Sequence, residues 1–270
     1  MSLRLTFPLL LAVYLVLFAY QETVKQQEHV ELQPAPPVAL LKTAGYLKQL
    51  GAEMLYIKAA VFLGGRDPET PPDSYAAVLA NHFDAMTALH PRLLDIYYLS
   101  ESSLSWIGAQ YTQRANAILA QGGIYRPELW VIPFFIGFNQ FYYLHNFNDA
   151  SRTLRTTSLK EGAPVWLGHL SALLAARGGN ILGGLAWLRA MAATEDDATV
   201  RTRYEIEIKE FEKAAHVLSA ISSYQQKYSR PPAELKNLVP EFIDAIPILG
   251  EGYELDYEAP ELYMRKKHVG

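Results

Sequence analysis

Two long apolar stretches stand out along the chain, Leu5–Tyr20 and Leu129–Leu144. The first holds no charged or amide side chain, whereas the second contains Pro133, Asn139 and Gln140. A helix that crosses a bilayer needs about 20 apolar residues, and each amide would need a hydrogen-bond partner in hydrocarbon. We therefore expect residues 5–20 to contact a lipid bilayer and the second stretch to be a helix buried in protein; a second membrane span is the alternative.

The N-terminal pattern predicts an uncleaved membrane anchor at residues 1–22. Phe18, Ala19 and Tyr20 offer no pair of small residues for signal cleavage, although a signal peptide with an unusual site stays open. Arg4 and the terminal amine favour a cytoplasmic N-terminus. This predicts a single-pass inner or plasma membrane protein whose body lies on the extracytoplasmic, periplasmic side. Residues 23–38 are polar and end in several prolines, which predicts an extended linker.

Beyond the linker, apolar residues recur at helical spacing. The pattern predicts a helix from Ala39 that Gly64 and Gly65 stop, and a second helix over Ser74–Leu89. Three helix pairs then follow, and each is expected to open at a proline: Pro91, Pro127 and Pro164. The shorter second helices carry a small residue each: Ala115, Ala150 and Ala186.

Residues 39–195 resemble an array of tetratricopeptide repeats. Gly137 stands at the eighth position of its repeat and Ala186 at the twentieth, and Ala115 stands twelve residues before Pro127. The resemblance implies a mainly α fold, a TPR-like solenoid of helical hairpins closed by a long C-terminal helix and a small α+β cap. The residues that it assigns to repeat packing are Ala115, Pro127, Gly137, Ala150, Pro164, Ala175 and Ala186.

The same resemblance implies a concave face that binds a protein or peptide. In this register the groove is lined by Asp95, Tyr98, Ser102, Trp106, Phe134, Phe138, Phe141, Tyr142 and Ser171. Aromatic side chains supply large anchoring area in such grooves. If the register is off by one residue, these rings belong to the core instead.

The C-terminal part, residues 196–270, is expected to cap the array. A long helix is predicted from about Asp197 to Tyr228, followed by a β-hairpin that pairs Tyr253–Tyr257 with Leu262–Arg265. The last 40 residues or so are similar to the C-terminal part of the major pseudopilin of type II secretion systems, but they lack the Asp-Pro common in that family. We expect Glu251, Glu254 and Asp256 to be surface carboxylates rather than calcium ligands.

Composition and motifs argue against several classes of function. The chain has a net charge of -4, no cysteine and no lysine- or arginine-rich block, which argues against nucleic acid, disulfides and thiolate metal sites. The pairs His145/Asp149 and Glu212/His216 have the spacing of solvated helix faces, and no nucleotide or hydrolase motif is present. We expect no enzyme activity, no cofactor and no metal.

Two functions fit these expectations. The first is a non-enzymatic, membrane-tethered scaffold or adaptor whose helical-repeat surface binds a protein partner in the cell envelope. The alternative is a permanent accessory subunit of a larger envelope complex, such as a secretion, pilus or transporter assembly.

Overall fold

The computed structural model describes residues 11, 13–18, 32–37, 43, 45–250 and 252–266, and over these ranges the protein is mainly helical with one two-stranded sheet. The predicted mainly α class is therefore confirmed. The chain divides into two compact units, Met1–His90 and Pro91–Gly270. The second unit contains most of the predicted helix pairs and the whole of the predicted cap.

The predicted single-pass membrane topology is wrong. Among the described residues, no helix is both long enough and apolar enough to cross a bilayer. Residues 1–10, 12 and 19–22 lie outside the described residues. The periplasmic placement of the body, which depended on this anchor, is corrected with it.

The first unit contains a short 3-10 turn, Gly45–Leu47, and two helices, α1 (Lys48–Gly65) and α2 (Pro72–Leu89). The two helices pack together. The rings of Phe62 on α1 and Tyr75 on α2 contact each other edge-on, with ring centres 5.2 Å apart. The predicted end of the first helix at the glycine pair is confirmed. Residues 32–37, the described part of the predicted linker, have no regular secondary structure.

The second unit contains seven helices within its described residues. They are α3 (Leu94–Leu104), α4 (Ala109–Tyr125), α5 (Val131–Tyr142), α6 (Phe147–Ser158), α7 (Trp166–Arg177), α8 (Ile181–Thr194) and α9 (Ala198–Tyr228). Each helix packs against the next one along the chain. The apolar stretch from Leu129 to Leu144 thus forms one helix of 12 residues, about 18 Å long, inside this unit.

The three prolines do not begin helices, which corrects the prediction for Pro91, Pro127 and Pro164. The helices start two to four residues later, at Leu94, Val131 and Trp166, as their bounds show. Pro91 and Pro127 instead follow the residues that end α2 and α4, His90 and Arg126, whose backbones are non-helical. A proline disfavours the helical conformation of the residue before it, so these prolines end the preceding helix.

The long helix and the hairpin agree with the sequence. The Asp197 carboxylate accepts hydrogen bonds from the backbone N–H groups of Thr199 and Val200 and so caps the start of α9; Ser229, which follows the helix, has a φ of 55°. Strands β1 (Tyr253–Glu258) and β2 (Glu261–Lys266) pair antiparallel; β1 is one residue longer than predicted and β2 is longer by one residue at each end. Helices α7 to α9 and both strands share one core, centred on the fully buried Phe211.

Candidate protein-interaction surface

An aromatic band runs over the first helices of three successive pairs, α3, α5 and α7. We define the aromatic band as Tyr98, Phe134, Phe135, Phe138, Tyr142 and Trp166. Its three polar-tipped rings are the most open: Tyr98, Trp166 and Tyr142 are 39, 50 and 56 % exposed. The phenylalanines are half-buried between them. A band with this exposure is an apolar surface that solvent contacts in part.

Ring contacts make the band continuous. Tyr98 on α3 meets Phe135 on α5 edge-on, with ring centres 6.0 Å apart and planes at 84°. Phe134 on α5 meets Trp166 at the start of α7 in the same way, at 5.8 Å and 89°. Phe138 stacks on Tyr142 at 5.2 Å with an interplanar angle of 11°. Edge-on and stacked pairs of this kind hold aromatic rings in defined positions.

Helix α5 packs closely on α6 at Gly137, where any larger residue would displace the Leu154 side chain. A Cβ on Gly137 would lie 2.5 Å from Cδ2 of Leu154. Leu154 and Ala150 are fully buried and, with Leu167 and Leu174, form a small core beneath the band. The band therefore packs on a closely packed apolar core.

A buried polar network joins α3, α4 and α5. The side-chain N–H₂ of Asn139 donates to Oε2 of Glu101 at 2.8 Å, to Oγ of Ser105 at 3.2 Å and to Oδ1 of Asn116 at 2.9 Å. Ser105 also donates to Oε2 of Glu101 at 2.8 Å. Burial raises the pKa of the Glu101 carboxyl, while the hydrogen bonds from Asn139 and Ser105 act in the opposite direction. Because the network spans three helices, it fixes their relative positions.

A pocket of about 370 Å³ adjoins the Trp166 end of the band. It is lined by Val165, Trp166, His169, Thr199, Val200, Arg203 and Tyr204. His169 Nε2 contacts the carboxylate of the buried Glu207 directly beside this pocket. Apolar walls with an exposed guanidinium at the rim suit an apolar side chain next to an acidic one.

The structure places the predicted groove residues in three settings. Tyr98, Phe134, Phe138 and Tyr142 lie in the aromatic band, and Asp95, Ser102 and Trp106 are exposed at or just beyond α3. Phe141 packs on the core beneath the band. Ser171 is buried, with 1 % of its surface exposed, and its hydroxyl donates to the Gly168 carbonyl at 2.8 Å.

The residues predicted for repeat packing include both buried and exposed ones. Gly137, Ala115, Ala150 and Ala175 are buried, as a close helix contact requires, whereas Pro164 is half-buried and Pro127 exposed. Ala186 lies on the exposed face of α8. The close approach on that helix is made by Gly184, where a Cβ would lie 2.7 Å from the Ala172 carbonyl oxygen.

Four residues were not among the predicted site residues: Phe135 and Trp166 in the aromatic band, and Glu101 and Asn139 in the buried network. For Asn139 and its neighbour Gln140 a signal was present, because two amides in an apolar stretch need hydrogen-bond partners. Gln140 finds one in the Thr153 hydroxyl, which donates to it at 2.8 Å. Glu101 occupies the place that a small residue takes in the repeat pattern, ten residues after Pro91.

The described residues contain no group of three or more histidine, aspartate or glutamate side chains placed to hold a metal ion. Comparison with known proteins found no matching protein family, no matching curated protein and no matching solved structure.

Proposed function

We propose that the second unit is a TPR-like array of helical hairpins that acts as a protein-binding scaffold. The aromatic band is its docking surface, and a helix or peptide of the partner lies across α3, α5 and α7. The proposal is supported above all by one observation: the rings of the band come from three successive first helices, and contacts between rings join α3 to α5 and α5 to α7. Repeat proteins place their binding residues in this way, one set on each repeat.

The partner segment is expected to carry apolar anchors. Contiguous apolar surface is uncommon on a monomer unless it serves binding, and aromatic residues supply much of the energy at protein interfaces. The pocket beside Trp166 would take one anchoring side chain, and Arg203 at its rim would favour an acidic neighbour. The same surface would serve a transient partner or a permanent one in a larger assembly.

A selection experiment tests the proposal. A random peptide library is selected on the purified full-length chain, and the enriched peptides are measured against Tyr142→Ala, Trp166→Ala and Tyr125→Ala. Tyr125 is a matched control, since it is 45 % exposed and lies at the end of α4, a helix that contributes no residue to the band. We expect the two band variants to lose about tenfold or more in affinity, as anchor residues do, and the control to lose little.

The unfolding free energies of the three variants serve as the internal check. Substitution of exposed residues is expected to change stability by no more than about 1 kcal/mol. Enriched peptides that bind both band variants as tightly as the original chain would refute the proposal. A large loss of stability in both variants without a specific binding defect would assign the rings to the core.

A further inference from the structure

Helix α1, in the first unit, carries a second apolar surface that the other described residues of this unit leave exposed. We define the α1 seam as Leu50, Met54, Ile57 and Val61, whose side chains are 52, 55, 59 and 61 % exposed. Leu47, in the 3-10 turn just before the helix, extends it and is 47 % exposed. The other apolar face of α1, with Ala52, Leu55, Ala59 and Phe62, is buried. Helix α1 is thus apolar on two faces, of which only one is covered.

The spacing of the α1 seam is that of a coiled coil. Its members follow one another at intervals of four, three and four residues, the alternation of positions a and d in a heptad. Leu47, Met54 and Val61 take position a, and Leu50 and Ile57 take position d. Gly64, the next d position, ends the seam together with the helix. Two heptads of this kind form a narrow stripe that matches one facing helix.

The charges beside the seam select the orientation of the facing helix. In this register Glu53 occupies position g and Lys58 position e, and both are exposed. In a parallel pair, position g of one helix faces position e of the other helix five residues later. Glu53 of each copy therefore lies opposite Lys58 of the other copy, which gives two ion pairs in the dimer. In an antiparallel pair g faces g and e faces e, so Glu53 would not face Lys58 and this attraction would be lost. The other flanking positions, Gly51 and Ala60, are uncharged and small.

The seam also has room for one partner helix only. Positions b and f of the same heptads are Ala52, Leu55, Ala59 and Phe62, which are buried. Residues 32–37 border the seam at Ile57 and Val61, where they line a pocket of about 390 Å³ with them, yet both residues stay more than half exposed with that segment in place. Since α2 already holds α1 in helical form, pairing does not carry the cost of forming a helix.

We propose that the α1 seam is a homodimerisation surface, on which α1 of a second copy packs in parallel and in register. This surface lies in a different unit from the aromatic band, and the inference does not depend on the proposed function. A dimer would present two copies of the band, so a partner with two binding segments would bind more tightly by avidity.

Cysteine cross-linking tests the pairing directly, because the natural chain contains no cysteine. Val61→Cys in the full-length chain should form a disulfide-linked dimer under mild oxidation, since equivalent a positions face each other in a parallel pair. Gln49→Cys, exposed at position c of the same helix, is the matched control and should stay largely monomeric. In an antiparallel pair an a position faces a d position, so residue 61 would face residue 50, and a mixture of Val61→Cys and Leu50→Cys chains would cross-link instead.

A charge exchange gives a second measurement on unlinked protein. By sedimentation equilibrium, Lys58→Glu should weaken dimerisation roughly tenfold, because it turns both flanking attractions into repulsions. The double variant Glu53→Lys/Lys58→Glu should restore it. The proposal is overturned if the chain is monomeric at all concentrations, if Val61→Cys cross-links no more than Gln49→Cys, or if the double variant is as weak as the single one.

Discussion

The close approach between α3 and α4 leads to a quantitative prediction for two adjacent glycines. Gly122 and Gly123 both lie in the last turns of α4, so an alanine at either site gains the same helix propensity, about 0.5 to 1 kcal/mol. Their surroundings differ. A Cβ on Gly122 would lie 2.8 to 2.9 Å from three ring carbons of Tyr97, whereas a Cβ on Gly123 would meet only Ile132 at 4.0 Å.

The Tyr97 ring has little freedom to move away from a new methyl group. It is fully buried, and its hydroxyl donates to the Pro91 carbonyl at 2.5 Å. Burial raises the pKa of Tyr97 to about 12, so the hydroxyl stays a donor across the accessible pH range. Overpacking of this kind costs about 1 to 3 kcal/mol, more than the helix-propensity gain. We expect Gly122→Ala to destabilise the second unit by about 1 to 2 kcal/mol and Gly123→Ala to stabilise it by up to about 1 kcal/mol.

Tryptophan fluorescence during urea unfolding is a suitable assay. The four tryptophans, Trp106, Trp130, Trp166 and Trp187, all belong to the second unit, so the signal reports on that unit alone. The two variants should differ by about 1 to 3 kcal/mol in unfolding free energy at unchanged m, or about 2 to 12 °C in melting temperature. Equal stabilities would refute the packing of Tyr97 against α4.

Two further predictions concern α6 and the buried network. Ala150→Leu should cost about 1 to 3 kcal/mol by overpacking the contact beneath the band, whereas Ala193→Leu, at an exposed site on α8, should cost little in the same fluorescence assay. Because the pKa of Glu101 is raised in the folded state, its carboxyl lowers stability as pH rises above the ordinary glutamate value. Glu101→Gln should remove that fall, so its stability relative to the original chain should increase as pH rises above the ordinary glutamate pKa of about 4; a constant difference would contradict this.

The elements that follow from local chemistry were predictable. Helix α9 has an aspartate at its start and an apolar stripe along its length. The hairpin sequence consists of two strand-forming stretches separated by turn residues. Both elements were therefore placed to within a residue or two. The division of residues 91–195 into three helix pairs also followed from periodicity and turn residues. These features depend on neighbours within about four positions, which the sequence displays directly.

Which face of each helix is buried was harder to predict from the sequence. On α8, Ala186 and Gly184 are two positions apart and both small, yet only Gly184 faces the Ala172 carbonyl and the Phe211 ring. Which of them is buried depends on the rotation of α8 against α7 and α9. Likewise, Phe135 and Trp166 join the band because of how α5 stands between its neighbours. Such rotations are set by tertiary packing, and one residue of sequence corresponds to 100° around a helix.

The Asn139–Glu101 pair links a local sequence signal, an amide in an apolar stretch, to the tertiary packing that sets the rotation of α5. The partners are 38 residues apart in the sequence, and each by itself is costly to bury, since Asn139 still has a buried oxygen without a hydrogen bond among the described residues. A leucine pair at these positions would avoid that cost but would tolerate small rotations of α5 against α3. Three hydrogen bonds from one amide tolerate far less, because each is lost within about 1 Å of displacement. The contact between Tyr98 and Phe135 joins the same two helices, so the network that lowers stability also holds the aromatic band in register.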